Sequence, residues 1–405
     1  MQTRFISATL ALSFIAASAT HAQSTAAATA TAGRNDRPTG WELSGIPAVN
    51  FNSDEGFGYG LIVHAFNYGD GTARPYRYTV QPQAFLTTLG RRDVSVFFDA
   101  PQLLPFDWRV SGYLGREQQL ATPYYGFGND TPRDERLELP PNPHFYRYGR
   151  VGVRMSADFQ HKVRGPLRLL LGASTRSWNI DDTPFDSGTT LLAQQLSGSA
   201  AVTGRTNSAR VGLVYDTRDR EAGPTRGQWI ETLVQRAGGE KSGINVAFTR
   251  VTTTARVYAP LHPRLVWAQR VVAQYASNST PFYERFAIQG SFRDEEGLGG
   301  STTVRGLPKN RYAGNRIALL NEEFRWTASE FLLRKRPSAI VLTAFTDYGR
   351  VWDTTAADTE HEGQLHVGGG IGVRLRHGEN FVVAVDVGHS RQATAPVYIG
   401  LGYLF

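Results

Sequence analysis

Between Trp41 and Phe405 the chain repeats one pattern: a stretch in which apolar and polar residues alternate, then a connection, then another such stretch. Period 2 places successive side chains on opposite faces of an extended strand. In Ile244–Tyr258, Val246, Phe248 and Tyr258 fall on one parity, and Asn245, Thr249 and Thr253 on the other. Phe381, Val383, Val385 and Val387 share a face, as do Val397, Ile399, Leu401, Tyr403 and Phe405. The alternation predicts sixteen strands, over 41–51, 56–68, 76–89, 92–100, 106–117, 145–161, 166–180 and 204–216, then 227–238, 243–259, 263–277, 315–326, 338–349, 363–376, 379–390 and 396–405. Connections after even-numbered strands are mostly tight: "GDGTARP", "APQLLP", "KVRGP", "DREAGPTRG", "LHPR" and "RHGEN". Those after odd-numbered strands include all the long ones, 118–144, 181–203, 278–314 and 350–362.

A meander sorted in this way carries its long loops on one side, with short periplasmic turns on the other. A soluble all-β array is the alternative, and it has no reason to sort its loops. Several strands also exceed the roughly 9–11 residues that cross a bilayer at a tilt. A sheet facing lipid must close, because an open edge leaves backbone groups unsatisfied in hydrocarbon. The expected fold is therefore all-β: a transmembrane antiparallel β-barrel of about sixteen strands, spanning 41–405, with both termini periplasmic. Mean hydropathy of -0.32 fits a barrel that shows lipid only one face of each strand.

Ahead of the barrel, Met1–Ala22 has an early positive charge, Arg4, an apolar run Ile6–Ala19, and a small-x-small ending at Thr20-His21-Ala22. It reads as a secretory signal peptide over 1–22. The Ala/Thr/Ser/Gly-rich stretch 23–40 reads as a flexible lead-in. The chain has no cysteine, so thiol catalysis and Cys-based zinc sites are excluded. Net charge is +7, but the basic residues are spread singly along strands, which speaks against a nucleic-acid partner. Of 43 basic residues only Lys162, Lys241, Lys309 and Lys335 are lysine. Arginine is favoured where planar pairing to carboxylates matters, and genome composition explains the bias equally well.

Enzyme chemistry finds no foothold. None of the nine histidines pairs with another at metal-ligand spacing on a helix. "DVGHS" at 386–390 gathers Asp386, His389 and Ser390, yet His389 and Ser390 point to opposite faces and cannot form a nucleophile–base pair. No catalytic residue, metal or cofactor is expected.

One loop stands out. "GSFRDEEGLGGSTTVRGLPKNRYAGNRIALLNEEFRW" places a single arginine, Arg305, between Val304 and Gly306, with Pro308 behind. Farther on, "TAFTDYGRVWD" at 343–353 holds Phe345, Asp347 and Gly349 on one parity. "YDTRDREAGPTRGQWIE" at 215–231 holds Asp216, Thr217, Arg218 and Asp219, with Pro224 and Gly227 behind. These three elements, in their order along the chain, resemble the BamA/TamA-like (bacterial surface antigen) outer-membrane β-barrel superfamily. "YYGFGND" at 124–130 and "EFRW" at 323–326 are weaker echoes. The resemblance covers roughly 41–405. It identifies 278–314 as the sixth extracellular loop, Val304-Arg305-Gly306 as its plug motif, and Phe345, Asp347 and Gly349 as the partner-strand motif.

The physical chemistry of the residues suits an inward-folded loop. Asp347 in a narrow lumen needs a cation, and Arg305 offers a two-pronged one. Gly297, Gly299, Gly300 and Gly306 let the backbone turn close to the wall, and Phe345 offers a ring to the guanidinium. The alternative is an exposed arginine binding lipopolysaccharide phosphate. Asp216–Gly227 is read as a structural turn. Leu401, Tyr403 and Phe405 resemble the C-terminal assembly signature of outer-membrane barrels, and their alternation predicts all three on the outer face. Parity places Glu323 and Arg325 in the lumen and Glu322 outside, which suggests a shifted or bulged strand.

The resemblance implies a role in protein insertion or translocation at the outer membrane, working through a weak seam between the first and last strands. Gly400 and Gly402 there either weaken pairing or relieve crowding. Expected partners are outer-membrane lipid and lipopolysaccharide, unfolded outer-membrane proteins, and a separate periplasmic partner. The last is expected because the some 18 residues of 23–40 fall far below the ~50 that a small domain such as the family's periplasmic POTRA modules needs. A passive or gated pore, or a surface-exposed structural barrel, is the competing expectation.

Overall fold

A computed structural model describes residues 39–405, apart from 53–55, 74, 105–106, 184–187, 197–202, 242–243, 293, 354–363 and 379–380. The expected signal peptide, and all of the lead-in except residues 39 and 40, lie outside the described residues.

The first half of the chain forms β1 (Trp41–Asn52), β2 (Gly56–Asn67), β3 (Tyr78–Thr87), β4 (Arg91–Leu104), β5 (Trp108–Pro123), β6 (Arg147–Arg164), β7 (Leu167–Asp181) and β8 (Gly204–Asp216). There follow β9 (Gly227–Lys241), β10 (Ile244–His262), β11 (Leu265–Ala276), the two-residue β12 (Ala287–Ile288) and β13 (Glu295–Glu296), then β14 (Arg316–Leu333), β15 (Arg336–Trp352), β16 (His366–His377), β17 (Phe381–His389) and β18 (Val397–Leu401). Sixteen of these make one antiparallel sheet in strict sequence order, and β12 and β13 pair with each other inside the long loop between β11 and β14. β1 and β18, the two ends of the order, lie side by side, with Cα atoms within 8 Å. No helix among the described residues is long and apolar enough to cross a membrane.

Each of the sixteen expected strands is present. The largest extension is β14, which runs on to Leu333 rather than stopping at 326. Its register with β15 shifts between Thr327 and Ser329, and that bulge breaks the alternation on which the sequence reading relied. Around Glu322 the register is regular, with Glu322 opposite Thr346 and Glu323 opposite Phe345, so no shift occurs there. Glu322 faces outward and accepts a hydrogen bond from Gln269 Nε2 at 3.1 Å.

Alternation sorts the two faces cleanly. Leu43, Val94, Leu114, Met155, Leu213, Val271, Phe324 and Val373 are exposed on the outer face. Arg109, Asp158, Glu231, Arg250, Arg270, Glu323, Arg374 and Asp386 are buried on the inner face. A lumen so rich in charge is tolerable only because the charges pair with each other and with what fills the barrel. At the end carrying the long loops, Tyr124, Tyr148, Trp178, Leu192, Phe282, Tyr283 and Phe286 form a buried cluster. It joins the loop after β5, the short helix α1 (Leu191–Leu196) and the loop after β11. Tyr124 and Phe282 meet edge to face at 5.3 Å, a geometry that aromatic quadrupoles favour.

Candidate functional site

The loop between β11 and β14 (277–315) folds into the barrel. Its backbone supplies its own partners: the β12–β13 ladder, a bridge between Leu298 and Tyr312, and a bond from Gly300 N–H to Leu307 O at 2.9 Å. Thr303 Oγ1 donates to Gly299 O at 3.0 Å and accepts from Gly299 N–H at 2.9 Å. One side of the loop is apolar. Ile288, Leu298, Val304, Leu307 and Tyr312 pack on Val272, Ile317, Leu319 and Val351 of the wall. Burial of side chains of this size contributes about 1.5–3 kcal/mol each, as an upper bound.

At the tip, Arg305 is fully buried among three carboxylates from three strands. Nε and Nη2 donate to Asp347 Oδ2 at 2.8 Å and Oδ1 at 3.0 Å, and the Arg305 backbone N–H reaches Oδ2 at 3.0 Å. Nη1 donates to Glu323 Oε1 at 2.7 Å and to Asp386 Oδ2 at 3.3 Å. The guanidinium lies 3.5 Å from the centroid of the Phe345 ring. Two wall arginines complete the set. Arg325 Nε donates to Glu323 Oε2 at 2.8 Å, and Arg374 holds Asp386 through Nη1 at 2.6 Å and Nη2 at 2.9 Å. Arg305, Arg325 and Arg374 thus balance Asp347, Glu323 and Asp386. Burial alone would push the Arg305 guanidinium down, but Asp347 and then Glu323 outweigh it and hold it well above its ordinary value.

The seat beneath the tip is built from glycine. Gly349, Gly368 and Gly388 on β15, β16 and β17 contact Val304, Arg305 and Gly306 so closely that a Cβ on any of them would collide with the loop. Gly306 itself has φ +101°, and a Cβ there would meet His389 O at 2.5 Å. Ser390 Oγ donates to Gly306 O at 2.7 Å. The "DVGHS" stretch therefore finds its place as wall: Asp386 and Ser390 face the plug, and His389 faces out.

The loop around Asp294–Glu296 is tied to the wall on β6, β7 and β11. Arg154 Nη1 and Arg176 Nη2 donate to Asp294 Oδ2 at 3.3 and 2.7 Å. Burial raises the Asp294 pKa, but Arg154, Arg176, Arg210 and Arg250 outweigh it and set it at about 2. Arg150 Nη2 donates to Glu296 at 2.7 Å, and Arg270 donates to Glu295 Oε1 at 2.5 Å and to Thr302 O at 2.7 Å. Asn129, in the "YYGFGND" segment, bonds to Val351 N–H and Gln364 O and so stitches the loop after β5 to β15.

Sequence reasoning named Arg305, Asp347, Phe345 and Gly349, and the structure brings them together. It had placed Glu323 and Arg325 in the lumen by parity without assigning them to the plug. It missed Asp386, Arg374, Asn321 and Arg270 as members of the network. Only strand register shows that Gly372 stands opposite Asp386, or that Asn321 stands opposite Asp347.

Asp216–Gly227 forms the turn between β8 and β9. Arg218 grips Asp216 through Nε at 2.9 Å and Nη2 at 2.8 Å. Asp219 Oδ1 accepts from Thr225 N–H at 2.9 Å, and Oδ2 from the Thr225 hydroxyl at 2.6 Å. Gly227 has φ +97°, and a Cβ there would collide with Thr217 O. Asp219→Ala is expected to cost about 0.5–1.5 kcal/mol by removing these bonds, read as a lowered unfolding temperature with the plug undisturbed.

The C-terminal residues differ from the expectation. Leu401 ends β18, but Gly402 takes φ +85° and turns the chain inward, so Tyr403 and Phe405 leave the outer face. Phe405 is buried against Tyr258 and Ala268. Arg325 donates from Nη2 to the Phe405 main-chain oxygen at 3.0 Å and lies 4.3 Å from the Tyr403 ring centroid. The lumen offers these rings an arginine face, and alternation ends where the backbone enters the left-handed region. A Cβ at Gly400 or Gly402 would meet nothing within 4 Å, so neither glycine relieves crowding. Among the described residues no group of three or more histidines and acids could hold a metal ion.

Residues 91–382 match the Omp85 superfamily domain. Solved structures resemble the chain in fold. BamA from Haemophilus ducreyi lacking POTRA domains 1-3 is 12% identical with a TM-score of 0.54, over 90% of this chain and 70% of that one. CdiB from Escherichia coli is 14% identical with a TM-score of 0.53, over 89% of this chain and 62% of that one. No curated protein sequence matches. With most of its length inside the matched domain, the chain belongs to the Omp85 superfamily and is a bacterial outer-membrane β-barrel.

Proposed function

We propose that the protein assists the insertion or translocation of polypeptides at the outer membrane, with the 277–315 loop as its internal closure. The observation that carries this reading is the mismatch at the two ends of the sheet. β1 has twelve residues and β18 five. The chain beyond Gly402 turns into the lumen instead of extending alongside β1. Part of the β1 edge is thereby left to another strand, and an unpaired edge is a template for strand addition. In this reading, unfolded outer-membrane proteins are the cargo and a separate periplasmic partner delivers them. Outer-membrane lipid and lipopolysaccharide surround the barrel. Leu401, Tyr403 and Phe405 act as the signature by which the barrel itself is assembled.

A second reading, a gated pore, is favoured by two cavities of about 300 and 520 Å³ that remain beside the plug. A folding assay separates the two. Purified barrel is reconstituted in liposomes, and the folding rate of a small unfolded outer-membrane protein is compared with that in liposomes holding an unrelated barrel. Acceleration that falls in Arg305→Ala is the expected result. No acceleration, together with ion conductance that rises in the same variant, would move the pore ahead.

A further inference from the structure

The turn between β8 and β9 does more than reverse the chain. It follows an even-numbered strand and so lies at the periplasmic end, where it reaches under the lumen. Arg109, at the start of β5, donates through Nη1 and Nη2 to Glu221 Oε1 at 2.7 Å and Oε2 at 2.9 Å. β6 and β7 stand between those two elements in the sheet, so this pair is a chord beneath one side of the lumen rather than a brace between neighbouring strands. Arg109 also holds Asp99 through Nε at 2.8 Å and Nη2 at 2.7 Å, and Tyr76 OH donates to the same carboxylate at 2.8 Å. The ring of Phe292, from the plug loop, lies 4.7 Å from the guanidinium. On its other flank the turn rests on the C-terminal tail, where a Cβ at Gly223 would stand 2.7 Å from the Tyr403 ring.

Between this turn and the plug lies the cavity of about 520 Å³, lined by Arg109 and Glu221 below and by Ser301 and Thr302 above. Its wall is polar. The Gln289 side chain and Arg256 Nε make no hydrogen bond within the protein. Such a space suits water and small hydrophilic solutes.

We propose that Glu221 and Arg109 form a latch that closes this chamber toward the periplasm, separately from the plug that closes it toward the outside. The pairing is built to release. Breaking a buried ion pair is costly when a charge is left alone. Here Arg109 keeps its two bonds to Asp99, and Glu221, whose side chain is 31% exposed, returns to water. The latch therefore opens without stranding a charge, which the Arg305 network cannot do. This assignment holds whether the barrel inserts proteins or conducts solutes.

The absence of cysteine makes the test clean. Ser291→Cys places one thiol in the chamber, and the barrel is held in lipid nanodiscs with a charged, membrane-impermeant maleimide as the probe. Labelling is expected to be slow in that background. It should be about tenfold faster when Glu221→Ala or Glu221→Gln is added, the factor that loss of a modest charge-assisted pair gives. Heat-modifiable gel mobility confirms that each variant is folded. Equal labelling rates with and without the Glu221 substitutions would overturn the latch. So would faster labelling accompanied by new trypsin cleavage within 277–315, since the plug would then be what had moved.

Discussion

Arg305→Ala is expected to release the 277–315 loop while the barrel stays folded. The substitution removes one of three cations that face three buried carboxylates, and Asp347 loses both prongs of its pair. What remains for Asp347 is Asn321 Nδ2 at 2.7 Å and a backbone N–H, neither of which carries charge. Stranding a buried carboxylate in this way costs about 3–5 kcal/mol. The sixteen-stranded ladder does not depend on the pair, so heat-modifiable mobility should be retained. The loop bears the loss. Its trypsin sites, Arg285, Arg293, Lys309 and Arg311, should be cut roughly a hundredfold faster or more, as expected when cleavage follows the population of the open form. Arg305→Lys should fall between, because a point cation cannot fork between Asp347 and Glu323. Unchanged protection in Arg305→Ala would mean that Leu298, Val304 and Leu307 hold the loop unaided.

How much of this was legible beforehand follows from what alternation can and cannot carry. Period 2 located all sixteen strands of the large sheet and both its faces, since each of these strands separates lipid from a charged lumen, but not the short β12–β13 ladder inside the plug loop. It failed where the backbone departs from a plain strand: at the bulge between Thr327 and Ser329, and at Gly402, where one left-handed residue moved Tyr403 and Phe405 from lipid to lumen. The Arg305–Asp347 pairing was readable because the family resemblance singled out both motifs and their charges are complementary. The rest of the network was not. Asp386 and Arg374 are ordinary inward residues until register sets them beside the plug, and Glu221 looks like a solvated turn residue. Contacts made across a lumen join strands far apart in sequence, and a linear pattern holds no record of which wall a turn will reach.

Gly368→Val tests the seat rather than the charge. A side chain at Gly368 would collide with the Arg305 carbonyl oxygen and stand 3.4 Å from Val304 Cγ1. The obstacle is backbone, which cannot swing aside as a side-chain end can, and overpacking of this kind costs about 1–3 kcal/mol. All six charges of the network stay in place, so any loss of the plug is due to shape. Trypsin cleavage within 277–315 should therefore rise toward that of Arg305→Ala. Gly306→Ala should act in the same direction, because it adds a positive-φ penalty to a contact with His389 O at 2.5 Å. Gly400→Ala is the matched control, since a Cβ there meets nothing within 4 Å, and it should leave the loop protected. Wild-type protection in Gly368→Val would show that the wall gives way. The Arg305 network would then be holding a yielding seat in position, instead of docking onto one that β15, β16 and β17 already shape.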